Sequence, residues 1–322
     1  MAFKPRPPHH RFGPPVFPRQ RAPKAFFEPP GIIDLDRFSN ADLSRWGTAA
    51  ADLDELHRLL YYAFEEQRQA HAEELIAALK ARPGKPFDCE NWSRILPFQY
   101  CLSPLSSAGS LRGPGGRFNV GIDLANEGFE AWPALYLAQS YETAFRERFG
   151  IAKDEGIDSL SPEHLALADT SDFVKVSLSG HIEKVFDVSD LAALEPFVNI
   201  IAKFKMPKRA NKLALKLKLN GLDIVRTTEA LRHLVLETNW RVWPVQFSLP
   251  SQSQVLARFI KNAGYEAIYY PSSKSHEPCL AILPLNLDDG SLVTLAGKYP
   301  EEVQHPRLDK HTAKLLVGKN GG

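Results

Sequence analysis

Residues 113–150 read GPGGRFNVGIDLANEGFEAWPALYLAQSYETAFRERFG, which combines a glycine-rich turn, a short apolar strand and a polar helix. In the strand, alternation places the two leucines on one face and Tyr136 on the other. Ser140 is a good N-cap for the helix, and Ala144 and Glu147, three positions apart, share one of its faces. If the helix folds back beside the strand, Tyr136 and Glu147 look into one cleft. The alternative is an ordinary strand–helix unit with a solvated glutamate.

Composition excludes several classes of protein. The chain has 322 residues, 44% hydrophobic and 24% charged, which is globular and long enough for one large or two modest cores. A net charge of +1 gives no general attraction to nucleic acid or membranes. Three cysteines without a Cys-x-x-Cys pair, and ten scattered histidines, predict no disulfide framework and no metal. With no apolar run of about 18 residues and no secretory signal, we expect a cytoplasmic protein.

The N-terminal part divides into a tail and a helical segment. Residues 1–31 hold nine prolines and six Lys/Arg and predict a disordered or extended tail, either a solubilising leader or a docking segment. Leucines at three- and four-residue steps predict a helix over 52–80, ended by Pro83 and Gly84. We expect this helix to pack on the outside as an N-terminal accessory element. The predicted domains are therefore the tail (1–31), a helical accessory segment (32–88), a main domain (89–290) and a C-terminal extension (291–322).

The rest of the chain gives weaker signals. Residues 173–178 and 182–187 alternate like strands, and residues 203–218 form a basic run with interleaved leucines. For that run, a solvated basic face and a nucleic-acid contact are both open. Ser251 opens a predicted helix that Gly264 closes, and strands are expected over 265–270 and 279–284.

Three segments in order resemble the RES domain: GGRFN at 115–119, ALYLA at 134–138 and SYETAFRE at 140–147. This family, named for an arginine, a glutamate and a serine, comprises bacterial toxins of an ADP-ribosyltransferase-like fold that consume NAD. The resemblance covers roughly residues 92–287, with an unmatched middle. Phe118 departs from the pattern, since the family usually has tryptophan there.

The resemblance also assigns candidate site residues. Arg94 lies 23 positions before Arg117, where the family has the arginine of its opening strand. We map the family's serine to Ser251, three positions before a glutamine, with Ser272 as the competing candidate. The expected catalytic residues are Glu147, Tyr136, Arg94 and Ser251. The expected NAD-binding residues are Arg117, Asn119 and Ser272.

These residue types suit cleavage of NAD. Guanidinium groups bind the pyrophosphate, and the ring of Tyr136 offers a stacking face. Nicotinamide leaves as a neutral molecule, so no general acid is needed. One carboxylate, Glu147, can stabilise the positive charge that develops on the ribose, whereas a glycosidase needs a pair.

The expected fold is therefore α+β, with ADP-ribosyltransferase-like split antiparallel sheets flanked by helices and an N-terminal helical extension. The expected activity is a toxin-like enzyme that cleaves the nicotinamide–ribose bond of NAD, its substrate, by phosphorolysis or hydrolysis. Inorganic phosphate is the candidate co-substrate. The alternatives are an ADP-ribosyltransferase that modifies a protein and a catalytically silent interaction module. The resemblance further implies an antitoxin partner with a helix-turn-helix.

Overall fold

A computed structural model describes residues 40–150, 173–219 and 222–317. The chain divides into two units, residues 1–48 and 49–322. Of the first unit, only residues 40–48, which begin the first helix, are described. The proline-rich segment 1–31 lies outside the described residues. Everything that follows concerns the second unit.

The described part of the chain alternates helices with seven strands. The strands are β1 (Lys85–Pro97), β2 (Leu135–Ala138), β3 (Phe173–Asp187), β4 (Ala267–Pro271), β5 (Pro278–Ile282), β6 (Leu292–Ala296) and β7 (Arg307–Asp309). The helices are α1 (Asn40–Ala70), α2 (Ala72–Lys80), α3 (Ile122–Asn126), α4 (Tyr141–Phe149), α5 (Leu191–Ile201), α6 (Lys208–Lys216), α7 (Thr228–Val235), α8 (Val242–Phe247), α9 (Gln252–Asn262) and α10 (Ala313–Val317). This mixture of helix and sheet agrees with the expected α+β class.

All seven described strands join one sheet in the order β1-β2-β5-β4-β3-β6-β7. The pairings are antiparallel except for β3 with β4, which run parallel. β1 also pairs with β3, so five strands close into a ring. The sequence led us to expect split sheets, whereas the strands form one hydrogen-bonded sheet. The length of β3 makes this possible, because its central residues pair with β6 and its last residues pair with β4.

Alternate residues of the central strands enter two different cores. Leu135 and Leu137 of β2 belong to one buried cluster, together with Leu280 of β5. Tyr136 packs against the other cluster, which also contains Ala281 of β5 and the apolar faces of the helices. The predicted alternation of β2 is therefore confirmed. Tyr136 stands on the helix-covered face of the sheet.

The N-terminal helix differs from its prediction in two ways. It is interrupted at His71, which separates α1 from α2, although α2 ends at Lys80 as predicted. Leu75 and Leu79 are fully buried in the same cluster as the sheet and α9. The expectation that this segment packs outside the catalytic core is wrong for α2. Its leucines are large and regularly spaced, and burying such side chains stabilises the fold by roughly 1.5–3 kcal/mol each.

Residues beyond 290 extend the sheet, and the basic run of residues 203–218 forms ion pairs with α1. β6 and β7 lie beyond residue 290 and pair with each other, and β6 also pairs with β3. The basic run contains α6, where Lys216 Nζ lies 2.6 Å from a carboxylate oxygen of Asp52 and Arg209 pairs with Glu55. None of the helices in the described residues is both long and apolar enough to cross a bilayer.

Candidate active site

The glycine-rich turn before Arg117 is packed so tightly that two of its positions require glycine. Gly115 has a φ of +90°, and a Cβ there would lie 2.4 Å from the carbonyl oxygen of Asn119. A Cβ on Gly116 would lie 2.5 Å from the hydroxyl oxygen of Tyr136. The turn therefore rests directly against the tyrosine of β2.

Asn119 and Tyr136 hold this turn from within. The hydroxyl of Tyr136 donates to Oδ1 of Asn119 and accepts from the N–H of Phe118, both at 2.9 Å. Oδ1 also accepts from the N–H of Gly116 at 2.9 Å, and Nδ2 donates to two further backbone carbonyls. Both ends of the fully buried Asn119 amide are thus used. The sequence assigned Asn119 to NAD binding, but the structure makes it a residue that positions the turn.

Gln254 fastens the same turn from α9. Its Nε2 lies 3.0, 3.1 and 2.9 Å from the carbonyl oxygens of Pro114, Gly116 and Asn119. Its Oε1 accepts from the N–H of Ser251 at 2.9 Å. One amide therefore connects the N-terminus of α9 to the loop that carries Arg117.

Ser251 is the N-cap of α9 rather than a group of the candidate cleft. Its Oγ accepts from the N–H of Gln254 at 3.4 Å and lies 2.9 Å from Oγ of Ser253. Together Ser251 and Gln254 form a capping box. None of the hydrogen bonds of Ser251 in the described residues reaches Arg117 or Glu147. A serine three positions before a glutamine at a helix start is a capping signal, and Ser251 has that role here; its assignment as the site serine stays a prediction.

Arg117 is buried and anchored by three acceptors. Nη1 donates to the carbonyl oxygens of Val235 at 3.1 Å and Glu237 at 2.8 Å, and Nη2 donates to Oγ of Ser273 at 2.9 Å. The guanidinium also lies 5.8 Å from the ring centre of Trp240. The Nε–H and the second Nη2–H have no acceptor among the described residues, so two of the five N–H donors remain available.

The electrostatics around Arg117 connect it with Glu147. Burial lowers the pKa of Arg117, while the nearby groups of Tyr270 and Glu147 act to raise it. Burial also raises the pKa of Tyr136, and the positive charges of Arg117 and Arg241 oppose that rise. Arg117, Tyr136 and Glu147 are therefore close enough to influence one another's charge.

Glu147 lies on α4, whose start and end are both defined by local signals. Ser140 caps the helix by accepting from the N–H of Thr143 at 3.1 Å, and Gly150 ends it with a φ of +75°. Half-buried Glu147 accepts from Oγ of Ser272 through Oε1 at 2.5 Å. Since Ser272 is 1% exposed, this hydrogen bond holds the carboxylate in a fixed position.

Two consecutive serines bring the arginine and the glutamate together. Ser272 contacts Glu147, and Ser273 contacts Arg117. Both serines follow β4 directly, in the loop that leads to β5. Of the two serines considered from sequence, Ser272 is the one that lies at the candidate cleft.

Arg94 lies on β1, a strand that contacts α4. Its Nη2 donates to the carbonyl oxygen of Ser106 at 2.8 Å, whereas Nη1 has no hydrogen-bond partner in the described residues. Burial, and next the positive charge of Arg148, lower the pKa of Arg94 to about 10. A buried guanidinium with an unused donor and a cationic neighbour suits an anion. No contact in the described residues joins Arg94 to Arg117.

Sequence reasoning missed several groups of the cleft. Ser273 and Trp240 contact the guanidinium of Arg117, and Arg241 lies 5.3 Å from the ring centre of Trp240. Thr143 donates to Oε2 of Glu277 at 2.5 Å, which ties α4 to the loop before β5. The Pro-Ser-Ser sequence after β4 was the available signal for Ser273; the other contacts have no local signature.

Among residues 40–150, 173–219 and 222–317, no group of three or more His, Cys, Asp or Glu side chains could hold a metal ion. The charged groups of the cleft are instead arginines and the carboxylates of Glu147 and Glu277, and the arginines suit an anionic group of an organic molecule.

Part of the chain matches the model of a known protein family. Residues 189–309 match the family model of the RES domain. This segment of the chain is therefore similar to the RES domain. The match contains Ser251, Ser272 and Ser273 and extends through β7, past the end expected from sequence. Arg94, Arg117, Tyr136 and Glu147 precede it.

Other comparisons add little. No curated protein matches the chain. Among solved structures, the crystal structure of the M. tuberculosis MbcT–MbcA toxin–antitoxin complex is similar, with a TM-score of 0.41 and 15% sequence identity. The similarity covers 76% of this chain and 97% of that chain.

Proposed function

We propose that this RES-domain protein is a toxin-like enzyme that cleaves the nicotinamide–ribose bond of NAD and so depletes cellular NAD. The observation that carries the proposal is the pair of contacts Ser272–Glu147 and Ser273–Arg117. These two contacts hold a carboxylate, and a guanidinium that can bind phosphate, at the same loop. An ADP-ribosyltransferase-like arrangement of the sheet belongs to the same proposal.

Each residue has a distinct part in this reaction. Arg117 offers its two remaining N–H groups to the pyrophosphate of NAD, and the unused Nη1 of Arg94 is a second phosphate donor. The ring of Tyr136 faces the nicotinamide or its ribose, while its hydroxyl stays on the turn. Ser272 keeps Glu147 oriented toward the sugar.

The bond between the ribose carbon and the pyridinium nitrogen breaks with its electron pair going to the nitrogen. Nicotinamide therefore leaves neutral, and the positive charge passes to the ribose. The carboxylate of Glu147 stabilises that charge in the transition state more than in the ground state, which lowers the barrier. The sugar carbon then bonds to an oxygen of phosphate, or to the oxygen of water, which releases one proton to solvent.

The proposal includes a helix-turn-helix antitoxin partner and a cytoplasmic location, where NAD is available. The RES match supports the partner. Contact between the basic run and nucleic acid is not part of the proposal, because two of its cations already pair with carboxylates of α1.

Release of nicotinamide from NAD by the purified full-length protein tests the activity. We expect release in buffer or on addition of phosphate. Acceleration by phosphate would identify phosphorolysis, and label passing from NAD onto a protein would identify a transferase instead. Folded protein that releases no nicotinamide under any of these conditions would favour a silent interaction module.

A further inference from the structure

The loop between β4 and β5, residues 272–277, is bound to the first turn of α4 through a carboxylate. Oε2 of Glu277 accepts hydrogen bonds from Oγ of Ser140 at 2.6 Å and from Oγ1 of Thr143 at 2.5 Å. Oγ of Ser275 lies 2.8 Å from the same oxygen of Thr143. Because each hydroxyl has one proton, Thr143 donates to the carboxylate and accepts from Ser275. Hydrogen bonds to a charged acceptor are stronger than those between neutral groups, so this contact holds the loop firmly.

The same loop presents Ser272 to the carboxylate of Glu147. Oγ of Ser272 accepts from the N–H of Ser275 at 3.1 Å. The N–H of Ser272 donates to the carbonyl oxygen of Glu277 at 2.8 Å. Ser275 and Glu277 therefore hold Ser272 through their backbone groups and contact Thr143 through their side chains. The position of Ser272 consequently depends on the contact with Thr143.

Thr143 and Glu147 lie four positions apart on α4, so they share one face of the helix. The helix and the loop therefore meet again one turn further on, where Ser272 contacts Glu147. Thr143 is 0% exposed and Ser275 is 5% exposed, so water does not compete for their hydrogen bonds. None of the hydrogen bonds of Thr143 in the described residues reaches Glu147 itself. Thr143 therefore influences that carboxylate indirectly.

We propose that Thr143 and Glu277 are positioning residues, which hold the 272–277 loop on α4 so that Ser272 meets the carboxylate of Glu147. The inference rests on the catalytic role proposed above for Glu147. Without either group the loop can shift along α4, and the donor to the carboxylate is no longer fixed. A misplacement of about 1 Å at a reacting centre can lower a rate about 10²-fold, so the effect should appear in kcat.

The affinity for NAD should depend less on this contact. Arg117 donates to Ser273 of the loop, but it also donates to the carbonyl oxygens of Val235 and Glu237, at and just after the end of α7. These two acceptors stay in place when the loop shifts. The phosphate-binding guanidinium therefore keeps most of its anchoring.

Three variants of the full-length protein test the positioning role. Thr143→Val keeps the branched side chain and removes the hydroxyl, and Glu277→Ala removes the acceptor from an exposed residue. We expect each to lower kcat for nicotinamide release about tenfold, with KM for NAD within about twofold of the parent. Thr143→Ser keeps the hydroxyl and should retain the kcat of the parent. Thr294→Val, which removes a threonine hydroxyl that donates to the carbonyl oxygen of Ser179, is the matched control and should also retain it.

Hydrogen–deuterium exchange measures the loop without any turnover. The N–H groups of Lys274 and Ser275 donate to Oγ of Ser272, so their exchange reports whether the loop is held. Thr143→Val and Glu277→Ala should speed exchange of residues 272–277 about tenfold, whereas the control and Thr143→Ser should not. The melting temperature of each sample shows that the variant is folded.

Two results would overturn the proposal. Exchange at the rate of the parent in both Thr143→Val and Glu277→Ala would show that these groups do not hold the loop. Faster exchange with an unchanged kcat would show that the contact is structural only. If the parent itself releases no nicotinamide, the proposed activity fails, while the exchange measurement still decides whether Thr143 and Glu277 hold the loop.

Discussion

Oγ of Ser272 lies 2.5 Å from Oε1 of Glu147, although 125 residues separate them in the chain. The same hydroxyl oxygen accepts hydrogen bonds from the backbone N–H groups of Lys274 and Ser275, at 3.0 and 3.1 Å. Ser272 is therefore fixed by its own loop and presents its proton to the carboxylate. The catalytic proposal for Glu147 depends on this arrangement.

Glu147→Gln keeps the size and hydrogen bonding of the side chain but removes its charge. If the carboxylate stabilises an oxocarbenium-like state, kcat should fall about 10²–10³-fold while KM for NAD changes little. Nicotinamide release at saturating NAD measures this. Glu195→Gln, on an exposed position of α5, should match the parent. Equal turnover by Glu147→Gln and the parent would exclude the catalytic role.

Ser272→Ala and Ser251→Ala distinguish the two candidate serines. Ser272→Ala leaves Glu147 without its donor and should lower kcat about tenfold. Ser251→Ala removes a helix cap, so unfolding should become easier by about 1 kcal/mol with kcat of the folded enzyme nearly unchanged. The melting temperature and kcat of each variant, measured on the same samples, distinguish the catalytic role from the capping role. A larger kcat loss for Ser251→Ala would restore the assignment made from sequence.

Arg117→Ala should act first on substrate affinity. A phosphate contact exists in both the ground and the transition state, so KM for NAD should rise more than kcat falls. Since Arg117 is 6% exposed, Arg117→Lys serves as a milder second variant: it keeps the charge but cannot contact Val235, Glu237 and Ser273 together. Arg112→Ala, on an exposed neighbour, is the control. An unchanged KM in both Arg117 variants would remove Arg117 from the binding site.

Gln254→Glu tests whether the side-chain amide of Gln254 holds the glycine-rich turn in place. The substitution replaces the Nε2 donor by an oxygen that faces the carbonyls of Pro114, Gly116 and Asn119. Leaving buried polar groups unpaired costs about 1–3 kcal/mol, and more for a charged group. We expect a lower melting temperature and a higher KM for NAD together. Gln252→Glu, in the first turn of the same helix, where the dipole favours a negative charge, should do neither.

His57 makes stability depend on pH in a defined direction. Burial lowers its pKa below the ordinary 6.5, and its ring stacks on Phe247 at 3.8 Å. The unfolded chain therefore takes up the proton first as pH falls, so the contribution of His57 is complete above about pH 6.5 and is lost below it. The pKa of His181 is raised, chiefly by its hydrogen bond to Asp88, which gives the opposite trend in the same window.

A difference measurement isolates the contribution of His57. The melting temperature of His57→Phe relative to the parent should rise as pH falls from about 7.5 to 5, because the phenyl ring keeps the stacking and takes up no proton. His181→Gln should show the reverse trend. A difference for His57→Phe that is constant with pH would contradict the burial argument.

Sequence reasoning succeeded where hydrogen bonds are local. The cap at Ser140, the alternation around Tyr136 and the helix after Ser251 all depend on neighbours within a few positions. It failed where a contact joins distant segments. A serine three positions before a glutamine predicts a cap and gives no sign of what lies across space, so Ser251 and Ser272 could not be told apart. The burial of Leu75 likewise depends on α5 and α9, which follow much later in the chain.

The order in which the chain is made has a consequence for this cleft. The bond from Gln254 to Pro114 spans 140 residues, and that from Arg117 to Ser273 spans 156. Contacts between such distant segments form slowly, because the long intervening loop must close, at a cost in chain entropy, before the contact can stabilise the fold. Arg117 and Glu147 are synthesised before their partners, which follow 156 and 125 positions later in the chain. A fragment that stops before Ser272 has both charged side chains and lacks the loop that brings them together, so nascent and truncated chains should be inactive.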